Sequence, residues 1–273
     1  MIKIYNGDCL KAMELISDRT VDTIVTSPPY NTTPHISEKS TTTLEEEQKK
    51  RKYYVGIRYD GFCDAMPNDK YAKFCADCFD GFDRIVKDNG TVLWNVSIGA
   101  ENTSAMFLAI SEIISRGKWI VADQLIWKKS CAIPLNTSRN LTTRICENVF
   151  VFCRPSERVT FHANKKALTV SKSGQSFYET PYNLIDAKNN DGATMLNRAT
   201  FSTELVRKLL KMYGRFGDDK GLVYDPFMET GTTASAARDL SYDCIGSELS
   251  AAQCDYAVKR LDDMFTSVEI VKI

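Results

Sequence analysis

The sequence has no surplus of either charge: 35 lysines and arginines balance 35 aspartates and glutamates over 273 residues. Whole-molecule charge therefore cannot steer the chain to a polyanion, and any such site must come from local segregation of charge. No apolar run approaches the ~20 residues of a membrane helix, and the N-terminus lacks the basic, apolar, small-residue layout of a secretory leader. Histidine is scarce, and His35 and His162 have no partner histidine at ligand spacing. The nine cysteines are scattered without the dense, even spacing of a disulfide framework, so a reducing cytoplasm is the expected location. Cys75-Ala76-Asp77-Cys78 is the only Cys-x-x-Cys, and a zinc site would want a second pair. Both cysteines fall on an apolar helical stripe, so core packing is expected there and no metal is expected anywhere. A membrane protein, a secreted mini-domain and a disordered chain are excluded as classes. The length suits one α/β domain with a full core, residues 1–273.

Strand and helix patterns alternate along the chain. Ile2 to Tyr5 reads as a strand, and Asp8 can cap a helix with Leu10, Met13 and Ile16 on one face. Val21 to Thr26 is a β-branched strand stopped by Pro28-Pro29. Tyr71, Phe74, Cys75, Cys78, Phe79, Phe82, Ile85 and Val86 predict a helix over 69–86, ended by Asn89-Gly90. Strands are expected at 91–96, 119–127, 148–153, 222–224 and 243–245, with helices at 101–115, 203–212, 231–240 and 251–264. Such alternation implies βαβ units and a mainly parallel sheet covered on both faces. Two stretches lose the periodicity, 31–67 and about 156–196, and read as insertions.

Two segments concentrate polar and turn residues at strand ends. Thr26-Ser27-Pro28-Pro29-Tyr30 follows one strand, where open α/β sheets bind ligands. Asp225-Pro226-Phe227-Met228-Glu229-Thr230-Gly231-Thr232-Thr233 is a strand, a turn and a helix start, and Glu248 stands 23 residues after Asp225 at the end of the next strand. An acid there suits ribose hydroxyls, while a helix N-terminus faces an anionic group. Each segment alone is also what an ordinary turn or a helix cap looks like.

Together, the two segments make the sequence resemble the β-class of S-adenosylmethionine-dependent DNA amino-methyltransferases. Ile4-Tyr5-Asn6-Gly7-Asp8-Cys9-Leu10 is similar to the opening segment of these enzymes, and Thr26 to Asn31 to their catalytic motif. Asn197 to Phe201, leading into Glu204-Leu205-Val206, is similar to the stretch before the cofactor turn, and Asp225 to Thr233 to that turn itself. The catalytic motif precedes the cofactor turn, the order that marks the β-class. The resemblance implies a Rossmann-like, doubly wound fold with circularly permuted motif order and inserted DNA-contacting loops.

It also implies roles. Ser27, Pro28, Pro29 and Tyr30 would be catalytic: the Ser27 hydroxyl and the Pro28 carbonyl accept the amine hydrogens, and Tyr30 stacks on a base rotated out of the duplex. Asp225 would lie near the methionine amino group, with Phe227 lining the pocket. Gly231, Thr232 and Thr233 would meet the carboxylate and Glu248 the ribose. Asp8, Cys9, Thr200 and Phe201 would surround the adenine, although Asp8 and Thr200 also read as helix caps. Lys128, Lys129, Arg139, Arg144, Lys165 and Lys166, with the run Lys49 to Lys52, are candidates for the DNA backbone. Residues 31–67 resemble the mobile loop that closes over DNA, and 156–196 occupy the place of a target-recognition region. That region is short, which suggests help from the 31–67 loop or from a second subunit as a homodimer. A companion restriction endonuclease is a further expected partner.

Ser27 stands where adenine-N6 enzymes usually carry Asp, so the expected product is N4-methylcytosine, with N6-methyladenine as the alternative. Enzymes of RNA or protein amide nitrogens usually have Asn before the prolines and the opposite motif order. Methylation at cytosine C5 needs a Pro-Cys nucleophile, and none of the eight prolines precedes Cys. Glu147-Asn148-Val149 is similar to a motif of the C5 enzymes; without that nucleophile it reads as coincidence within a strand. Glu229 departs from the family's glycine, where a side chain costs about 1–2 kcal/mol in the left-handed region. It predicts weakened but surviving cofactor binding, with a catalytically weak DNA-binding paralogue as a further alternative.

Overall fold

The computed structural model describes residues 1–31, 66–99, 102–131, 142–189, 191, 200–215, 221–262 and 266–273. The first elements are β1 (Ile2–Asn6), α1 (Cys9–Glu14), β2 (Val21–Thr26), α2 (Asn68–Ile85), β3 (Val86–Val96) and α3 (Ala105–Ser115). Then come β4 (Ile120–Lys129), β5 (Cys146–Cys153), β6 (Ala167–Val170), β7 (Ser176–Tyr178) and β8 (Leu184–Ala187). The chain continues with α4 (Thr203–Tyr213), β9 (Leu222–Asp225), α5 (Thr232–Asp239), β10 (Asp243–Glu248), α6 (Ala251–Leu261) and β11 (Val268–Lys272).

Nine strands form one sheet in the order β11-β1-β10-β9-β2-β3-β5-β4-β8. Only β5 runs against its neighbours, β3 and β4; every other pairing in this sheet is parallel. Strand side chains alternate between faces, and the sheet uses that period to feed two cores. Val25, Leu93, Leu125, Trp127, Val149 and Val151 point to the face covered by α4, α5 and α6. Ile24, Val92, Trp94 and Phe152 point to the face covered by α1, α2 and α3. There Phe79 packs edge-on to Trp94, Trp119 and Phe152 at 4.7–5.9 Å between ring centres. Cys75 and Cys78 are buried in this second core, and burial pushes the Cys75 thiol up to about 12.

The sequence pattern misplaces several boundaries. The helix over 69–86 ends at Ile85, because the chain turns extended at Val86 and joins the sheet there. Asn89-Gly90 lies within β3 as an irregularity: Val21 pairs with Val86 and Thr23 with Thr91, and Asn89 takes φ +57°. β8 and β11, unmarked in the sequence, are the two edges; each is too short to show a period until a neighbour pairs with it. β8 draws part of the stretch 156–196 into the main sheet, where Ala187 accepts from Trp127 Nε1 at 3.1 Å. The loop expected over 31–67 lies outside the described residues from 32 to 65. Its two flanks meet, since Asn31 donates to Met66 O at 3.0 Å and accepts from Met66 N–H at 2.8 Å. No helix among the described residues is long and apolar enough to cross a membrane.

Gly246 shows how closely the sheet is covered beneath the turn after β9. A Cβ there would lie 2.1 Å from Met228 Sδ and 2.9 Å from Met228 Cβ, so the whole buried side chain would have to move. Gly246→Ala is expected to lower unfolding stability by about 1–3 kcal/mol, read as a lower urea midpoint at unchanged slope.

Candidate active site

The sheet reverses its winding between β9 and β2: from β9 the chain moves to β10 on one side, and from β2 to β3 on the other. Ligands of open α/β sheets bind at the C-terminal strand ends of such a point. Ser27 to Tyr30 follow β2, Asp225 ends β9, Glu248 ends β10 and Asp8 follows β1. Asp8, Cys9, Phe74, Phe227, Glu229 and Glu248 line one cleft together with Ser27 and Pro29. Phe74 faces Phe227 at 6.0 Å between ring centres; the sequence stripe had assigned it to packing alone.

The turn after β9 is tied from within. Asp225 is fully buried, and its Oδ1 accepts from the Thr26 hydroxyl at 2.6 Å and from Phe227 N–H at 3.0 Å. The Thr233 hydroxyl donates to Oδ2. Neither Asp225 nor the Thr233 hydroxyl therefore faces the cleft, contrary to the roles expected for them; they hold the turn against β2. The Thr232 hydroxyl accepts from Arg260 Nη1 at 3.4 Å, and that guanidinium also reaches Thr230 O at 3.3 Å. Arg260 has no motif to announce it and enters the site only because α6 packs behind the turn. Gly231 takes φ +83° ahead of α5, a conformation natural to glycine. Glu229 takes φ +49°, so the strain expected for a side chain at this position is present.

Glu248 is aimed by two backbone donors, Glu229 N–H at 3.0 Å and Ser250 N–H at 2.8 Å, and faces the cleft as expected. Asp8 serves both readings: it caps α1 through Leu10 N–H at 2.8 Å and lines the cleft. Phe201 does not line the cleft; it lies in the core beneath α4–α6, because Ser202 starts α4 and turns the preceding residue inward. The hydroxyls of Thr200 and Thr230 are buried with no partner among the described residues. Neither threonine lines the cleft; the carboxylates of Asp8 and Glu248 beside the Phe74 and Phe227 rings are the lining that fits a ligand carrying a ribose and a base.

At the β2 end of the cleft the side chains form a chain of hydrogen bonds. Ser27 Oγ and the Tyr30 hydroxyl are 2.7 Å apart, and Tyr30 donates to Glu147 Oε2 at 2.9 Å. Asn95 Nδ2 donates to Tyr30 at 2.6 Å and to Glu147 Oε2 at 2.8 Å. Glu147 pairs in turn with Lys129 at 2.5 Å. β2 and β3 bring Asn95 beside Ser27, and β5 sets Glu147 two residues along from Val149, the partner of Asn95. Glu147 lies within a strand as expected, and its hydrogen bonds to Tyr30 and Asn95 add a part in the site that its sequence context did not assign. Its signal was the alternation itself, since it falls in phase with buried Val149 and Val151. Tyr71 steadies the motif by donating to Pro29 O at 2.7 Å.

The basic candidates divide. Lys129 is committed to Glu147 and lies over Trp127 at 5.1 Å, so it is not available to a phosphate. Lys128 is half exposed and pairs with Asp186 at 3.0 Å. Arg144 donates to Gly99 O at 2.6 Å and to Ile98 O, bracing the segment after β3. Lys165 and Lys166 lie with Asp123 and Tyr213 at the other end of β4 from Lys128, so the structure does not bring them to the site. Arg139 and Lys49 to Lys52 lie outside the described residues.

A nine-stranded α/β sheet with a cleft at its switch point, and a Ser-Pro-Pro-Tyr segment beside it, defines the class: a ligand-binding protein of the doubly wound α/β type. The match to a family is direct. Residues 21–259 match the N6/N4 family described as DNA methylase, and the chain belongs to it. It is 24% identical over 279 aligned residues to the type II methyltransferase M.BglII of Bacillus subtilis, covering 95% of this chain and 68% of that protein. Among solved structures, it is similar to the cytosine-N4-specific PvuII DNA methyltransferase, with TM-score 0.67 and 17% identity over 97% of this chain and 88% of that one. The M1.HpyAVI–SAM complex gives TM-score 0.58 and 17% identity over 96% of this chain and 100% of that one. The protein is thus a site-specific DNA methyltransferase.

Burial pushes the Asp225 carboxyl up to about 6, against the pull of its three donors. Below the ordinary carboxylate value of about 3.9 the stability linked to this shift is fully present; it is lost as pH rises through about 6. Relative to Asp225→Asn, the wild type should lose stability between about pH 4 and 6, as read by urea unfolding across that window. Parallel stability profiles for the two proteins would remove Asp225 as the titrating group.

Proposed function

We propose that the protein transfers a methyl group from S-adenosylmethionine to the exocyclic N4 of a cytosine rotated out of duplex DNA. The observation that carries this reading is Ser27, a hydroxyl rather than a carboxylate at the motif position, lining the cofactor cleft one strand from the Asp225 turn. The fold it shares with a cytosine-N4-specific enzyme supports the same base. The cofactor reading is supported by the cleft residues and by the fold shared with a SAM complex.

The chemistry asked of the chain is positioning. An exocyclic amine is a poor nucleophile because its lone pair is delocalised into the ring. Accepting its hydrogens at Ser27 Oγ and the Pro28 carbonyl favours a pyramidal nitrogen and stabilises the positive charge that develops on it. S-adenosylmethionine, when bound, supplies an electrophilic methyl on a sulfonium. Glu248 would hold its ribose hydroxyls, Phe227 and Phe74 would flank its base, and the turn before α5 would meet its amino-acid end. Tyr30 would present its ring to the extruded base while its hydroxyl stays in the chain to Glu147.

Lys128, standing at the same end of the sheet as Ser27, is the proposed contact to the DNA backbone among the described lysines. Residues 156–196 are the proposed target-recognition region, with 31–67 closing over DNA. A homodimer and a companion restriction endonuclease in the cytoplasm complete the proposal.

The test is nucleoside mass spectrometry of mixed-sequence duplex DNA after incubation with the protein and isotope-labelled S-adenosylmethionine. Labelled N4-methylcytosine is expected. Labelled N6-methyladenine would keep the mechanism and overturn the base, and no label would turn attention to Glu229. Glu229→Gly should raise the urea midpoint, since the αL cost of about 1–2 kcal/mol is already present in the free protein and is relieved, and calorimetric titration should show S-adenosylmethionine binding that variant no more weakly. Weaker binding to that variant would make Glu229 a cofactor contact instead.

A further inference from the structure

Glu147 closes the far end of the chain that begins at Ser27, and it fixes the direction of every hydrogen bond between them. A carboxylate paired with Lys129 at 2.5 Å offers acceptors only. The Tyr30 hydroxyl has one hydrogen, and it goes to Glu147 Oε2 at 2.9 Å. The Tyr30 oxygen then meets Ser27 Oγ, at 2.7 Å, and Asn95 Nδ2, at 2.6 Å, with lone pairs alone. At the Ser27–Tyr30 contact the donor must therefore be Ser27. With its only hydrogen turned toward Tyr30, Ser27 presents lone pairs to the cleft it lines.

Asn95 enforces the same polarity. Its amide nitrogen lies within 3.4 Å of Ser27 Oγ, Tyr30 Oη and Glu147 Oε2, and a flipped amide would set its oxygen against the Glu147 carboxylate, which has no hydrogen to offer it. Its own oxygen is buried without a partner among the described residues, a cost tolerated to keep the nitrogen facing the chain. Were the chain to run the other way, Tyr30 would donate to Ser27, and Ser27 would point a hydrogen at the amine.

We propose that Glu147 is a positioning residue for methyl transfer: acting through Tyr30, it orients the Ser27 hydroxyl so that the target amine meets an acceptor. This rests on the reading of Ser27 as the group that receives the amine hydrogens. It gives Tyr30 a second task beyond stacking, one that phenylalanine cannot perform. It also accounts for Lys129, whose charge holds Glu147 as an acceptor rather than holding DNA.

The experiment is a double-mutant cycle on the full-length protein with Glu147→Gln, Tyr30→Phe and the double variant. Single-turnover transfer of labelled methyl to DNA and the Kd for S-adenosylmethionine are measured for each. Each single variant should slow transfer roughly 10- to 100-fold with cofactor Kd unchanged, and the double variant should be no slower than the slower single one. Losses that multiply, or Glu147→Gln transferring at the wild-type rate, would overturn the proposal.

A second readout needs neither DNA nor turnover. With 13Cζ-labelled tyrosine, the Tyr30 signal of the free wild type, assigned by its loss in Tyr30→Phe, should sit downfield, as for a phenol donating to a carboxylate. It should move upfield in Glu147→Gln; if that variant fails to fold, the position of the wild-type signal alone decides. A Tyr30 signal at the position of solvent-exposed tyrosines would overturn the orienting contact. If the wild type transfers no methyl group to DNA while the tyrosine signal behaves as expected, it is the functional reading that has failed, not the polarised chain.

Discussion

The Asp225 carboxylate, buried between two threonine hydroxyls, is the constraint on which the rest of the site depends. Thr26 reaches it from β2 and Thr233 from the first turn of α5, so one side chain joins the strand before Ser-Pro-Pro-Tyr to the helix after the cofactor turn. The contact spans 199 residues of sequence between Thr26 and Asp225. It sits at the point where the sheet reverses its winding, where the backbones of β2 and β9 pair over only two registered positions. Side chains thus supply there the rigidity that the short ladder does not, and a cleft needing sub-ångström placement of two ligands is built on it.

Most of the fold was legible as periodicity. β2 was read to the residue, and α1, α4 and α6 came within a few residues, their starts capped by Asp8, Ser202 and Ser250; α5, which starts on Gly231 without a side-chain cap, was marked by its turn. What escaped were elements whose signal lies in their partners. β8 and β11 hold four and five residues, too few for a period of two to stand out without a neighbour. The Asn89-Gly90 pair looks like a terminator but is absorbed into β3, since one irregular residue pair is cheaper than abandoning a buried strand.

The site was legible where chemistry is local and obscure where it is not. Ser27, Phe227, Glu248 and Asp8 lie in contiguous motifs and all reach the cleft. Asp225 and Thr233 lie in the same motifs yet turn inward, because only the fold decides which side of a turn is buried. Glu147, Asn95 and Lys129 come from β5, β3 and β4, and no linear spacing relates them. A charge in phase with the apolar face of a strand was their one visible trace. Lys129 shows the converse hazard: a Lys-Lys pair beside a DNA site suggests a phosphate contact until its neutralising carboxylate comes into view.

The asparagine that follows Tyr30 has a different kind of consequence. Asn31 grips Met66 by both of its backbone groups, and Asn102 Nδ2 donates back to Asn31 O at 2.8 Å. The chain thus leaves the sheet after β2 and rejoins the described fold just before α2 through one fastened point. Asn31 thereby ties the register of Ser27 and Tyr30 to the start of α2.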